Sequence, residues 1–230
     1  EGVAIVEAKD IEDIVRSRHP SPTTVFIRTH GIESAVHDHL LRLRESFSSL
    51  SIRDMTCPFV KSIHKIALEK TNDSTIFLLF CNPTHAESVG IMSYARGEKL
   101  AFSSLEELQK VDLRGKTPII CAQTTQNLLE FKKIKKIFKK LYTNAVFFDT
   151  ICSVTEKRQN EAVALAEACD AMVVIGGKES SNTAKLYSLC RERCKNTQWI
   201  ESLNELSFDA LRSAHKIGIT AGASTPDAII

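Results

Sequence analysis

The sequence predicts an α/β protein with mostly parallel sheets, and three observations carry that prediction. Short, uninterrupted apolar runs recur along its 230 residues. Each run ends in a turn of small or polar residues. A stretch with helical character follows each turn. Apolar strands without alternation are buried on both faces, as in parallel sheets covered by helices. The expected connections are right-handed crossovers.

The elements come in order. Thr24–Arg28 runs into Thr29-His30-Gly31, and Ser74–Phe80 runs into a turn holding Asn82, Pro83, His85 and Glu87. Pro118–Cys121 runs into Gln123-Thr124-Thr125. Ala171–Ile175 runs into Gly176-Gly177 and then Ser180-Ser181-Asn182. Lys216–Ile219 runs into Thr220–Ser224, followed by Pro226. Ligands of parallel sheets bind beyond the carboxyl ends of the strands, where all five polar turns are expected. Cys57-Pro58 and Thr150-Ile151-Cys152 each follow a short strand-like segment and precede a helix. The expected divisions are therefore residues 1–57, 58–150 and 151–230. The first piece is short for a complete α/β unit and the sequence does not begin with Met. The expectation is that the N-terminal part of that unit is absent.

Composition narrows the function. Hydrophobic residues make up 43% and charged residues 25%, ordinary for a globular protein. No apolar run approaches the ~18–20 residues needed to span a bilayer. The N-terminus has no secretory pattern. A net charge of +2 argues against a nucleic-acid binder. The basic stretch Phe131–Lys140 places Ile134, Ile137, Phe138 and Leu141 on one helical face and lysines on the other. It reads as an amphipathic surface helix, or as a docking patch for an acidic electron donor. The seven cysteines are odd in number and scattered, so a reducing compartment is expected rather than a disulfide framework.

Two turns are suited to an anion. Gly176-Gly177 allows a tight turn, and Ser180, Ser181 and Asn182 then fall at a helix start, where unpaired amides and the helix dipole favour negative charge. Ala221–Ser224 repeats the arrangement. The plainer reading makes these serines helix caps. His30 and His85 occupy strand-end turns, where imidazole can donate to phosphate, bind metal or move protons. His85-Ala86-Glu87 adds a carboxylate in the same turn. Cys57 and Cys152 share one context: strand, short turn, cysteine, helix. A helix start favours the thiolate that binds metal, and iron–sulfur clusters take such ligands. The plainer reading is two buried small residues. Cys190 and Cys194 read as structural, and Cys81, Cys121 and Cys169 as core.

Seven stretches together resemble the 4-hydroxy-3-methylbut-2-enyl diphosphate reductase (LytB) family of the methylerythritol phosphate pathway. They are Thr29-His30-Gly31; Asp54–Pro58; His85-Ala86-Glu87 with Gly90; Gln123-Thr124-Thr125; Cys152 with Thr155 and Arg158-Gln159; Gly177–Asn182; and Thr220–Ser224 with Pro226-Asp227. They occur in the family's order and at family-like spacing. The resemblance implies three similar small α/β units around a central cluster site, with the first unit here incomplete. It implies a 4Fe-4S cluster held by three cysteines, of which Cys57 and Cys152 match two. His30, His85, Ser180, Ser181, Asn182 and Ser224 match the diphosphate binders. Thr124, Thr125 and Thr155 lie in matching substrate-binding segments, Thr155 near the cluster. Glu87 matches the proton source and Thr124 a residue that positions it. The reaction implied is reductive loss of the allylic hydroxyl as water, giving isopentenyl and dimethylallyl diphosphate. The implied electron donor is a ferredoxin or flavodoxin. No nucleic-acid or membrane partner is implied. The implied location is the bacterial cytoplasm, or the plastid stroma for a chain whose N-terminus carried a transit peptide.

The chain departs from that pattern at three places. No cysteine in residues 1–50 supplies the third ligand, Ala86 stands where Pro is usual, and Glu179 stands where Asn is usual. The ligand shortfall gives the alternative reading, a diphosphate-binding α/β core without a functional cluster. A generic phosphosugar-binding or isomerase domain leaves the two cysteine contexts without a purpose. A zinc hydrolase using His85 and Glu87 leaves Gln123-Thr124-Thr125 and both anion turns unexplained.

Overall fold

In the computed structural model, residues 3–113 and 115–230 are described. The chain divides into two compact units, Glu1–Cys121 and Ala122–Ile230.

The first unit opens with helix α1 (Ile11–Arg18), strand β1 (Thr23–Ile27), α2 (Ser34–Ser46) and β2 (Leu50–Asp54). It continues with α3 (Pro58–Lys70), β3 (Thr75–Phe80), α4 (Ala86–Tyr94), β4 (Glu98–Phe102) and α5 (Leu105–Gln109). At its end β5 (Thr117–Ala122) leads into the second unit. β1 pairs in parallel with β2, Ile27 opposite Asp54. β3 lies between β4 and β5 and pairs in parallel with β4. Every residue of β3 is buried, which is why its sequence shows no alternation. Phe77, Leu78, Leu79 and Phe80 form the centre of the core with Ile63, Ile91 and Phe102. Each such side chain contributes about 2 kcal/mol of burial free energy. A smaller cluster of Val15, Leu43 and Leu50 holds α1 and α2 against β2.

The second unit runs α6 (Leu128–Leu141), β6 (Val146–Phe147), α7 (Ser153–Ala168), β7 (Ala171–Ile175), α8 (Ser181–Arg193), β8 (Thr197–Ile200) and β9 (Ile217–Ala221). β7 is the middle strand of a parallel sheet ordered β8-β7-β9. Ala162, Ala166, Met172, Val174, Leu186, Cys190 and Cys194 fill one face of that sheet, so Cys190 and Cys194 serve as core. The other face carries Val173, Ile175, Ile200 and Ala221.

The expected mixed α/β fold with parallel sheets is the one observed, and the five strands read from sequence lie within two residues of β1, β3, β5, β7 and β9. The lysine-rich helix is α6, but its buried stripe is Phe131, Ile134 and Phe138. Ile137 and Leu141 are exposed instead. The 131, 134, 138 spacing is the narrower helical seam, and the other two positions lie beyond its edge. Among the described residues no helix is long and apolar enough to cross a membrane.

Candidate active site

In the first unit, parallel pairing carries β1 and β2 to the same edge, and the ladder continues past both strands. The Met55 amide donates to the Ile27 carbonyl at 3.0 Å, and the Cys57 amide to the Thr29 carbonyl at 3.0 Å. This places Cys57 beside the Thr29-His30-Gly31 turn. Cys57 is the N-cap of α3, with Pro58 at the first helical position, and its thiol makes no capping bond. Pro suits that position because its missing N–H would have no helical partner. The Asp54 carboxylate anchors the turn, accepting from the Thr56 amide at 2.9 Å and from Lys61 at 2.6 Å. Burial raises its pKa, but the Lys61 and Thr56 hydrogen bonds outweigh that and leave it at about 2.

Gly31 has φ +75°, and a Cβ there would lie 2.8 Å from His64 Cε1 and 3.2 Å from Thr56 Cγ2. Only glycine satisfies both the dihedral and the close approach. His64 reaches this turn from α3 and stacks on Tyr94 with ring centroids 4.2 Å apart. It is 9% exposed, and its Nε2 has no hydrogen-bond partner among the described residues. Burial pushes its pKa down to about 4.

His30 and His85 meet edge to face, with ring centroids 5.3 Å apart. His85 is the N-cap of α4, and its Nδ1 accepts from the Glu87 amide at 3.2 Å. That bond sets the tautomer, so the neutral ring carries its proton on Nε2. Burial lowers the pKa of both imidazoles, helped by Arg28 and, for His85, by His30. Both therefore enter as neutral donors at pH 7. Glu87 sits in the first turn of α4 and is 2% exposed. The first unit thus brings Cys57 to the His30 turn, and brings His30, His85 and Glu87 together.

The second unit repeats the cysteine arrangement. The Cys152 amide donates to the Thr124 carbonyl at 3.0 Å. Cys152 is the N-cap of α7, and its thiol again makes no capping bond. Thr155 is buried one turn into α7. The buried Gln159 carboxamide clamps the neighbouring turn: its Nε2 donates to the Gln126 carbonyl at 2.8 Å and its Oε1 accepts from the Leu128 amide at 3.0 Å. The Thr150 hydroxyl accepts from the Ala122 amide at 2.8 Å and donates to the Ala122 carbonyl at 2.7 Å.

The Thr125 and Ser181 hydroxyls are 3.0 Å apart, joining this turn to the start of α8. Ser180 caps α8, its hydroxyl accepting from the Thr183 amide at 3.3 Å. The capping role and an anion-donor role coexist, because the hydroxyl hydrogen remains a donor. Asn182 is 7% exposed, and neither its Nδ2 nor its Oδ1 has a hydrogen-bond partner among the described residues. A buried carboxamide without partners is costly, and this one lies in the first turn of a helix, where anions are favoured.

Close backbone approach sets the spacing of the turns that follow β7 and β9. Ile175 pairs opposite Ala221, and the Gly222 amide donates to the Ile175 carbonyl at 2.9 Å. The Thr183 side chain wedges between them. A Cβ on Gly176 (φ +146°) would lie 2.7 Å from Thr183 Oγ1, and one on Gly222 would lie 2.2 Å from it. Ser224 is exposed at the tip of the second turn. The second unit thus groups Thr124, Thr125, Cys152, Thr155, Ser180, Ser181, Asn182 and Ser224 on turns tied by direct bonds. Sequence reading missed His64 and Thr183; the adjacent glycines were the available signal, but their partners are distant in sequence.

No set of three or more His, Cys, Asp or Glu side chains among the described residues forms a ready metal-binding group. The two N-cap thiols suit a cluster in type, in their half-exposed position and in making no cap bond. The family resemblance implies three thiolates, and Cys57 and Cys152 are the two cysteines that match, with no cysteine in residues 1–50 to match the third.

The chain matches the model of a family described as LytB protein across residues 1–230. A protein of Caldanaerobacter subterraneus named 4-hydroxy-3-methylbut-2-enyl diphosphate reductase is 35% identical over 100% of this chain and 76% of its own length. A protein of the same name from Helicobacter pylori is 36% identical over 92% of this chain and 75% of its own length. The solved structure of the Plasmodium falciparum reductase superposes with a TM-score of 0.81 at 22% identity. That likeness covers 93% of this chain and 66% of that one, and shows a shared fold. A second solved structure, described as (E)-4-hydroxy-3-methyl-but-2-enyl diphosphate reductase, the terminal enzyme of the non-mevalonate pathway, has a TM-score of 0.57 at 31% identity. It covers 98% of this chain and 82% of its own.

Proposed function

We propose, since this chain belongs to the LytB protein family, that it is a reductase converting 4-hydroxy-3-methylbut-2-enyl diphosphate to isopentenyl and dimethylallyl diphosphate. The observation that carries this reading is the matched pair of cysteine turns. Cys57 and Cys152 each cap a helix without using the thiol, and each donates its amide at 3.0 Å to a threonine carbonyl in a neighbouring turn. Structural cysteines have no need of that repeated placement.

Cys57 and Cys152 would hold a 4Fe-4S cluster. Such a cluster, when bound, supplies electrons and a Lewis-acidic iron for departure of the allylic hydroxyl. Two electrons and two protons convert the substrate to product and water. The chain's own residues bind the diphosphate and handle protons. Ser180, Ser181, Asn182 and Ser224 are the proposed donors of the second unit, with Thr125 and Thr155 lining the substrate, and the orphaned Asn182 amide supports that role. His30 and His85 are the proposed donors of the first unit, His85 through the Nε2–H that its cap bond fixes. An anion would raise the lowered pKa of both imidazoles. Glu87 is the proposed proton source, and Thr124 is assigned to proton delivery as well. We further propose three α/β units, residues 1–57, 58–150 and 151–230, a cytoplasmic or plastid location, and a ferredoxin or flavodoxin as electron donor. Lys133, Lys136 and Lys140 on α6, which form no ion pair among the described residues, are a fitting surface for such an acidic protein.

Iron and acid-labile sulfide, measured after anaerobic reconstitution of this chain and of one extended at its N-terminus, test the reading. Iron near four per chain in the extended form, lost in both Cys57→Ser and Cys152→Ser and kept in Cys190→Ser, is the expected result. No cluster in either form would sink the reductase reading and leave the alternative, a diphosphate-binding core.

A further inference from the structure

The diphosphate donors proposed for the second unit are all uncharged. A bound diphosphate carries at least two negative charges, and burying it against neutral donors alone is unfavourable. Lys178 lies in the Gly177–Asn182 segment but is committed elsewhere. Its Nζ donates to the Trp199 carbonyl at 2.6 Å, pairs with Glu205 at 3.2 Å and sits 5.0 Å from the Trp199 ring centroid.

Arg158 differs. It lies on α7, one turn beyond the buried Thr155, and is half-buried. Its Nη1 donates to the Ala221 carbonyl at 3.0 Å, the last residue of β9 and the start of the Gly222–Ser224 turn. It makes no ion pair and no other hydrogen bond with the described residues. The contrast with its neighbour is sharp: Lys157 points into solvent, 78% exposed, and faces Glu161. A half-buried guanidinium aimed at a strand-end carbonyl, with no carboxylate to neutralise it, lacks a counter-charge. Its planar fork retains four N–H groups for an anion.

We propose that Arg158 is the cation of the second unit's anion cradle, fixing the Gly222–Ser224 turn through the Ala221 carbonyl and supplying the positive charge that a diphosphate at Ser180, Ser181, Asn182 and Ser224 requires. It is a positioning residue and an electrostatic one. The inference rests on the diphosphate reading above and extends it from neutral donors to charge recognition.

Calorimetric titration of the 230-residue chain with inorganic pyrophosphate across a series of salt concentrations tests it. Arg158→Gln is expected to weaken binding about ten- to a hundredfold, the range of a charged hydrogen bond, and to flatten the salt dependence. Arg158→Lys keeps the charge; it is expected to retain the salt dependence with an intermediate affinity, a result that loss of shape alone would not give. Lys157→Gln removes an equal charge from the same helix and is expected to bind as the unaltered chain does. Unchanged affinity and salt dependence in Arg158→Gln would overturn the inference and leave the diphosphate reading standing. Failure of the unaltered chain to bind pyrophosphate would overturn both.

Discussion

The two cysteine turns are close copies of one another and sit in different chemical company. Cys57 has φ −54° and ψ 135°, and Cys152 has φ −61° and ψ 134°. Both amides reach a threonine carbonyl at 3.0 Å, and both carbonyls receive the amide four residues on. The backbone device is therefore the same. Around Cys57 the side chains are imidazoles and, in the same unit, a buried carboxyl: His30, His64, His85 and Glu87. Around Cys152 they are hydroxyls and amides: Thr124, Thr125, Thr155, Gln159, Ser180 to Asn182. The first set consists of titratable side chains and the second does not. One local fold thus presents a thiol twice, beside imidazoles and a carboxyl in the first unit and beside hydroxyls and amides in the second.

That division is broken most severely at Glu87. Glu87→Gln keeps the shape and the backbone amide bond to His85 but removes the exchangeable proton. Turnover of the reconstituted enzyme is expected to fall by about 10²–10⁴, the usual worth of general acid catalysis, with substrate affinity nearly unchanged. Steady-state rates together with equilibrium binding measure both. Full turnover would mean that the first unit's carboxyl is not the proton source.

In the second unit the sharpest break is mechanical. Gly222→Ala would place its Cβ 2.2 Å from Thr183 Oγ1, and about 3 kcal/mol of stability is expected to be lost, as in other overpacked sites. Thr183→Ala removes the obstructing hydroxyl at some cost of its own. The double variant is expected to recover a good part of the Gly222→Ala loss, a coupling of about 1–2 kcal/mol. Urea unfolding of the four proteins gives the cycle. Strict additivity would show that the turn relaxes elsewhere and that Thr183 does not set its height.

These two breaks also show what could be read without a structure. The strands β3 and β7 announce themselves because burial on both faces removes alternation, and the turns after them follow from the small and polar residues that end each run. Cys57 and Cys152 were legible because their contexts repeat. His64 and Thr183 were not. Each earns its place by packing against glycines remote in sequence, Gly31 for one and Gly176 and Gly222 for the other, and no periodicity links such pairs. The stripe on α6 was misjudged at Ile137 and Leu141 for a related reason: a helix shows which residues share a face, but the width of the buried seam is decided by what covers it.

His64 offers the gentlest test of the contrast, because it asks whether the first unit is pH-sensitive in its packing as well as in its chemistry. Burial holds the folded pKa at about 4, against 6.5 for the ordinary side chain. The unfolded chain therefore binds more protons between those values, and stability must fall as pH drops from about 6.5 towards 4. At pH 5.5 the expected loss is about 1 kcal/mol. His30 and His85, with pKa values also lowered by burial, add in the same direction. Asp54, held at about 2, contributes only below its ordinary value of 3.8 and so lies outside this window. His64→Phe retains an aromatic ring against Tyr94 but cannot titrate. Urea midpoints at pH 7.5, 6.5 and 5.5 are expected to fall less steeply in that variant than in the unaltered chain. Parallel slopes would place the acid sensitivity on His30 and His85, in the strand-end turns rather than under them.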